Sequence, residues 1–386
     1  MKGVKFGFEP ILSIEGDNEI MVWMKKQTVK LEEFANLSWK QLSKLGKRPV
    51  VGLDIGSSSV KMIQLQKDDS GYSVTAAAIV DIVDEDEAGG KGEDVKITKA
   101  IHRCVQLSGV QTNLAVCGVC GPEVAVRHFE FPLLPQEEIP NAVLLEAKQI
   151  CPFIIDDGTL DYQVIPDGEN RIRGTLVAAT NKLIKKTNQL AESASLINVL
   201  MDVDGFALLN CFKACEKSSD GRTTAVLNVG RFCTTLAIIG NDGLPFVRDL
   251  AYAGKNIVEC MAAEWGVPAK EADKLLSGGG DPGRIKFDLD SSLQKACRKL
   301  IVDVTETICY YDTQRKSGAV EKIFVCGGFS LVKGFVELLK TQLHAETVLW
   351  NPLDKLNCYG TVPCADLLRE KGPAMAVAAG LAMRSI

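Results

Sequence analysis

Histidine is nearly absent from this chain: His102, His128 and His344 are the only three in 386 residues. That leaves no histidine pair to complete a four-ligand zinc site. No stretch approaches the roughly eighteen apolar residues of a spanning helix, and the N-terminus has no apolar leader core, so neither a membrane span nor a secretory signal is expected. A basic excess is lacking as well. Lys and Arg total 44 against 49 Asp and Glu, a net charge of -5, which argues against broad nucleic-acid binding. The GxxxxGK[ST] loop of Walker-type nucleotide proteins is missing too. Cysteine, by contrast, is plentiful at 13 residues. Those at Cys104, Cys211, Cys260, Cys309 and Cys326 are scattered through apolar segments, as expected of small buried hydrophobes in a reducing compartment. Cys117-Gly118-Val119-Cys120 is the one CxxC and, with no second pair, carries no expectation of a metal. The expected placement is cytoplasmic.

Against these absences one stretch stands out, Val50-Val51-Gly52-Leu53-Asp54-Ile55-Gly56-Ser57-Ser58-Ser59-Val60-Lys61 and onward to Leu65. Val50, Val51, Leu53 and Ile55, then Val60, Ile63 and Leu65, are the apolar arms of a buried hairpin around a polar turn. A carboxylate, a glycine, three serines and a lysine at that turn are the groups a phosphate and its magnesium need: open backbone N–H groups, a point cation, and an acid for metal-bound water. The competing reading is a serine-rich surface hairpin.

The residues before it, 1–49, are polar and irregular, with an amphipathic helix expected from Thr28 to Leu45 and basic residues Lys40, Lys44, Lys47 and Arg48 near its end. Translation could also begin at Met21 or Met24. A third strand is expected over 72–83, an acidic loop over 84–94, a helix over 95–107 and a strand over 113–119. Residues 122–170 then break the rhythm and read as a small inserted subdomain, with a helix over 139–150 and strands over 161–165 and 174–179. A further helix is expected from 182 to 194.

The opening pattern then returns. Thr223 to Ile239 is again apolar strand, polar Val-Gly turn, apolar strand, with Asn228 at the place of Asp54 and Gly230 at that of Gly56, 174 residues on. Such an internal duplication implies two similar lobes facing a cleft, one hairpin from each. Helices are expected over 256–265, 268–276 and 293–311, and the glycine run Ser277 to Gly283 reads as a connection. Lys322 to Ser330 is a buried strand that delivers Gly327 and Gly328, with a helix expected from about Val332 to Leu343, so that backbone and helix N-terminus could approach a flat ligand. A final apolar helix is expected from Gly372 to about Met383, packed on the first lobe.

LDIGSSSVK at 53–61, the related hairpin at 227–235 and VCGGFS at 325–330 resemble, in order and spacing, the two phosphate loops and the adenosine loop of the actin, heat-shock chaperone and hexokinase superfamily. The narrower resemblance is to the PilM family of type IV pilus assembly, relatives of the division protein FtsA. It rests on GLDIGSSSVK at 52–61, Phe131-Pro132, EAKQICPF at 146–153, LDYQV at 160–164, DVDGFAL at 202–208 and EADK at 271–274. The resemblance covers about 50 to 386 and leaves the N-terminal arm outside.

It implies an α/β, two-lobed actin-like ATPase fold with duplicated RNase H-like lobes and an FtsA/PilM-type inserted subdomain. The implied division is an N-terminal extension, 1–49; a first lobe, 50–121 with 171–200 and 372–386; the insertion, 122–170; a second lobe, 201–254 with 321–371; and a helical subdomain, 255–320. ATP and Mg2+ are implied in the cleft. Asp54 would hold the metal through water, while Gly56, Ser57, Ser58 and Lys61 would contact phosphates. Gly230 would close the second loop, Gly327 and Gly328 would lie against adenosine, and Glu271 and Lys274 would reach ribose or base. The implied partner is the cytoplasmic N-terminal tail of a PilN-like inner-membrane protein, in a groove of the first lobe and the insertion to which Phe153 and Tyr162 are assigned; core positions are the alternative for both. Peripheral association with the inner face of the cytoplasmic membrane follows through that partner, and motor components and self-association are further contacts.

Two departures from the family pattern qualify this. Asn228 replaces the second-loop aspartate and removes a metal-ordering charge, so that weak or no ATPase activity is expected. Ala253-Gly254 stands where Gly-Gly is usual. The alternatives are an ATP-hydrolysing enzyme or sugar kinase, for which Asp54, Asp202, Asp204 and Glu146 are the candidate catalytic carboxylates, and an FtsA-like division filament anchored by the helix at 28–45.

Overall fold

The computed structural model describes residues 49–69, 71–82, 92–216, 222–240, 243–279, 288–314, 318–358 and 365–384. The helix expected at 28–45, the start sites at Met21 and Met24, most of the acidic run at 84–94 and part of the glycine run at 277–283 lie outside them. Among the described residues no helix is long and apolar enough to cross a membrane.

Strand β1 (Val51–Ile55) is folded back by the serine turn into β2 (Ser59–Asp68), antiparallel, with Asp54 opposite Lys61. β3 (Gly71–Asp81) continues the meander. Helix α1 (Glu93–Ser108) buries Ile97, Ala100, Ile101 and Cys104, the one-face spacing of an amphipathic helix, against β2 and β3. It stops at Gly109, whose φ of 71° is the left-handed cap that glycine takes without strain. β4 (Leu114–Val119) then pairs parallel to β1.

β5 (Val124–Pro132), α2 (Ile139–Ile150), β6 (Gly158–Pro166) and β7 (Arg171–Thr180) form a body of their own. Its three strands are antiparallel in the order β5-β7-β6, and its middle strand lies wholly beyond residue 170. Ile139, Val143 and Ala147 of α2 pack with Phe129, Ile172 and Leu176 in a separate small core. Helix α3 (Asn181–Ser193), capped by Thr180 Oγ1 accepting from Leu183 N, leads into β8 (Ile197–Val203), parallel to β4. α4 (Asp204–Cys215) follows directly.

The second lobe repeats the plan: β9 (Thr223–Val229), β10 (Thr234–Ile239) and β11 (Phe246–Leu250) form a meander. Helices α5 (Gly254–Trp265), α6 (Ala269–Leu276) and α7 (Leu289–Gln314) precede β12 (Val320–Cys326), which is parallel to β9. α8 (Phe335–Gln342) and β13 (Glu346–Leu349) follow, then a short β14 (Asn357–Cys358) on β3, and helices α9 (Ala365–Lys371) and α10 (Ala376–Ala382). The sheets run β14-β3-β2-β1-β4-β8 and β11-β10-β9-β12-β13. Setting the added β14 aside, the two orders correspond strand for strand.

One expected element starts late. After Gly327 the chain makes a 3-10 turn over Gly328–Leu331, and α8 begins only at Phe335 rather than at Val332, because Gly334 sits at φ 83° and interrupts any helix there. The last helix behaves as expected. α10 lies on β1 so closely that a β-carbon on Gly52 would overlap the Ala378 carbonyl oxygen.

Candidate functional site

The first hairpin presents Asp54 and Lys61 as a cross-strand pair, Nζ to Oδ2 3.2 Å, with both side chains largely buried. Gly56 is required beneath them, since a β-carbon there would stand 2.7 Å from Lys61 Nζ and 2.8 Å from the Ser59 carbonyl. Ser57 and Ser58 form an exposed bend at the tip. A cation, an acid and a small-residue turn therefore meet at one edge of the first sheet, a donor set that suits phosphate oxygens and a hydrated magnesium ion.

The second hairpin is its topological twin but not its chemical one. Asn228 is paired with Thr235, so the positions of Asp54 and Lys61 are held by an amide and a hydroxyl. The turn is satisfied internally: Gly230 N donates to the Cys233 carbonyl, and Gly230 and Arg231 carbonyls accept from Gly254 N and Lys255 N at the start of α5. Ala253 is fully buried in extended conformation and needs no glycine. Gly254 supplies the close approach, for a β-carbon there would be 2.7 Å from the Phe329 ring. Arg231 grips both oxygens of Asp273 at 2.8 Å, tying α6 to the hairpin tip. That pair went unread in the sequence, where the signal available was an arginine beside the turn glycine and an acid inside EADK.

The double glycine divides its roles. Gly327, at φ 91°, packs its Cα against Asn228 and Val229, and its N–H is taken by the Pro373 carbonyl. A β-carbon on Gly328 would meet nothing within 4 Å, so Gly328 is the open one. Glu271 and Lys274 are exposed on α6.

The candidate carboxylates separate cleanly. Asp202 is buried in an ion pair with Arg384, Nε to Oδ2 2.6 Å, and its Oδ1 accepts from Val203 N; it is committed to holding the C-terminal residues and is not free to act as a base. Glu146 sits on α2 of the three-stranded body. Asp204 alone joins Asp54. It is 7% exposed, its Oδ1 has no hydrogen-bond partner, and burial, then the charges of Asp54 and Asp249, hold its carboxyl well above the usual range. Asp249, on β11, accepts from Thr235 Oγ1 and from the backbone N–H of Gly121, both at 2.6 Å, so it latches the second sheet to the loop after β4. Burial raises its pKa too. The CxxC does not act as a pair: Cys117 is buried in the first-lobe core, whereas Cys120 faces Cys233 across the lobes.

Phe153 and Tyr162 are both half-buried, packed at the margin of the small core of the three-stranded body. That body exposes four large aliphatics: Leu133, Leu145 and Ile154 are 61%, 61% and 71% exposed, and Leu144 39%. Strand β6 is an edge strand, and every residue from Gly158 to Ile165 is only half covered.

This architecture is shared with known proteins. The family described as type IV pilus assembly protein PilM matches residues 52–386. A solved PilM-PilN type IV pilus biogenesis complex aligns over 88% of this chain and 99% of its own, at 23% identity and a TM-score of 0.75. The ethanolamine utilization protein EutJ from Carboxydothermus hydrogenoformans aligns over 87% and 89% at 14% identity and 0.50. A diol dehydratase-reactivating factor in nucleotide-free form aligns over 86% and 99% at 11% identity and 0.51. With a two-lobed actin-like fold and a family match over all but its first 51 residues, the chain belongs to the PilM family of type IV pilus assembly proteins.

Proposed function

We propose that this protein is a cytoplasmic, ATP-binding scaffold of a type IV pilus or related secretion system, whose inserted subdomain receives the N-terminal tail of a PilN-like inner-membrane protein and links it to the motor. The observation that carries the reading is the exposure of Leu133, Leu144, Leu145 and Ile154 on the three-stranded body, whose sheet ends in the half-covered strand β6. Large exposed aliphatics concentrated on one small body mark an interaction surface. The PilM-PilN complex, similar over 99% of its own length, supports a tail of that class as the occupant.

The nucleotide half rests on the first hairpin. Lys61 would contact phosphate oxygens, Asp54 would hold a magnesium-bound water, and the turn of Gly56, Ser57 and Ser58 would offer backbone N–H groups; Gly230 and the open Gly328 would border the ligand, and Glu271 and Lys274 would reach ribose or base. When bound, ATP with Mg2+ supplies a polyanion and cation that both lobes can grip. Turnover is expected to be weak or nil: Asn228 carries no charge, Asp202 is held by Arg384, and Asp204 is buried with its carboxyl pushed above the usual range.

Calorimetry tests each half separately. The synthetic cytoplasmic tail of the PilN-like protein from the same genome should bind the wild type and bind Leu145→Glu at least about 10-fold more weakly, the loss of one buried leucine, at unchanged Tm. Equal affinity would remove the insertion as the docking surface. ATP with Mg2+ should bind the wild type and lose about 10-fold or more in Lys61→Ala, a charge-assisted hydrogen bond's worth; failure of the nucleotide-stripped wild type to bind would reject the nucleotide half alone.

A further inference from the structure

The two lobes meet at a cluster that the nucleotide reading does not use. The sulfurs of Cys120 and Cys233 and a carboxylate oxygen of Asp249 all lie within 4.8 Å of one another, and none of the three residues is freely exposed. They come from three separate elements: the residue after β4, the close of the second hairpin turn, and β11. Beside Cys120 stands Asp204, nine-tenths buried, with Oδ1 unpartnered.

The chemistry of this set is one-sided. Two thiols and the carboxyls of Asp204 and Asp249 are gathered together, Asp54 adds its charge to that felt by Asp204, and Lys61, paired with Asp54, is the cation acting on Asp204. The hydrogen bond with Cys233 and burial push the Cys120 thiol up, and burial pushes up the carboxyls of Asp204 and Asp249. A divalent ion displaces protons from its ligands and offsets the charge this leaves on them. Thiolate sulfur favours zinc-class ions over magnesium, and a tetrahedral site takes four sulfur, nitrogen or oxygen ligands.

We propose that Cys120, Cys233 and Asp249 bind a soft divalent cation of the zinc class between the lobes, as the three protein ligands of a tetrahedral site whose fourth position is left to water. Asp249 retains lone pairs for this while it accepts from Thr235 and Gly121, so those bonds serve to orient a ligand as second-sphere contacts do elsewhere. The site bridges the lobes. Cys120 follows β4 of the first sheet, while Cys233 and Asp249 belong to the hairpin turn and β11 of the second, so a bound ion would pin the loop after β4 to the second hairpin whether or not nucleotide is present. Neither the ATP reading nor the tail reading is needed for it.

The test uses the full chain, reduced with a phosphine, stripped with a chelator and kept free of nucleotide. Zn2+ alone is titrated against a chromophoric chelator, and Co2+ is added to a second sample for its absorption spectrum. One tight equivalent of Zn2+ is expected, with proton release and a thiolate-to-cobalt charge-transfer band. Cys120→Ser and Cys233→Ser should each weaken binding at least about 10-fold, as even second-sphere losses do. Cys215→Ser, which alters the other close thiol pair, Cys211 and Cys215 with sulfurs 4.0 Å apart, should leave it unchanged. The proposal fails if the wild type shows no tight equivalent and no charge-transfer band, or if Cys233→Ser binds as well as wild type. It fails equally if mass spectrometry finds a Cys120–Cys233 disulfide formed in air while the reduced protein ignores Zn2+, which would make the pair a redox contact instead.

Discussion

Asp202 and Asp204 lie two residues apart at the end of β8 and the start of α4, and the fold gives them opposite states. Asp202 is paired with Arg384, with side chains 1% and 3% exposed. Removing one partner of such a pair leaves a buried charge unmatched, so Asp202→Ala should cost about 3–5 kcal/mol, measurable as a lowered midpoint in urea; a loss below about 1 kcal/mol would mean that water reaches Arg384 easily. Asp204 has its pKa raised above the ordinary 3.8. Its contribution to stability is therefore full below pH 4 or so and is lost as pH rises through the folded value. Asp204→Asn removes that dependence. In chelator-treated protein its Tm should gain on the wild type between pH 5 and pH 8, and a constant difference across that range would contradict the assignment. Both acids are visible in the sequence as candidate bases, but nothing near them in the chain distinguishes the one held by an arginine from the one pushed up by burial, because Arg384 is 182 residues away.

At the scale of elements, the interface of α4 with α10 is built from absent side chains. A β-carbon on Gly380 would overlap the Ala207 carbonyl oxygen, and the helix around it, Ala376–Ala382, is otherwise Ala, Val and Leu. Intrinsic propensity favours alanine over glycine in a helix by about 1 kcal/mol, whereas overpacking costs about 1–3 kcal/mol or more. The close approach should win, and Gly380→Ala should destabilise by about 2 kcal/mol or more in chemical denaturation; a stabilised variant would show that the helices part easily. α4 is not legible as a helix in the sequence. It buries eight of its first nine residues, and a helix apolar all round lacks the one-sided stripe that reveals amphipathic ones such as α1. β5 was passed over for a related reason, since Phe-Glu-Phe-Pro reads as an approach to a helix until β7 is beside it.

For the molecule as a whole, the lobes are joined by more than a hinge. A single apolar cluster contains Ile63 and Val74 from the first sheet, Val226 and Cys326 from the second, and Ala207, Phe212 and Leu381 from the helices between them. Phe212, Phe324 and Trp350 stack edge-on at 5.0 to 6.2 Å across the same region. Calorimetric unfolding of the nucleotide-free protein should accordingly give one main transition for both lobes; two resolved transitions of comparable enthalpy would argue that the shared cluster contributes little.

The hairpin at Asp54, its echo at Asn228 and the two-lobed plan are legible in the chain, because strand alternation, turn residues and helix spacing are written within a dozen neighbours of each other, whereas bounds of 122–170 for the insertion leave out its middle strand, Arg171–Thr180. What the tertiary structure alone decided is which groups are spent and which are open. Gly230 and Gly327 have their N–H groups used while Gly328 has open space where a side chain would stand, Asp202 is held by Arg384 while Asp204 stands against Cys120, and Cys120 faces Cys233 rather than Cys117. Each depends on contacts between segments far apart in sequence, and burial at such contacts sets charge and reactivity in ways that local pattern does not record.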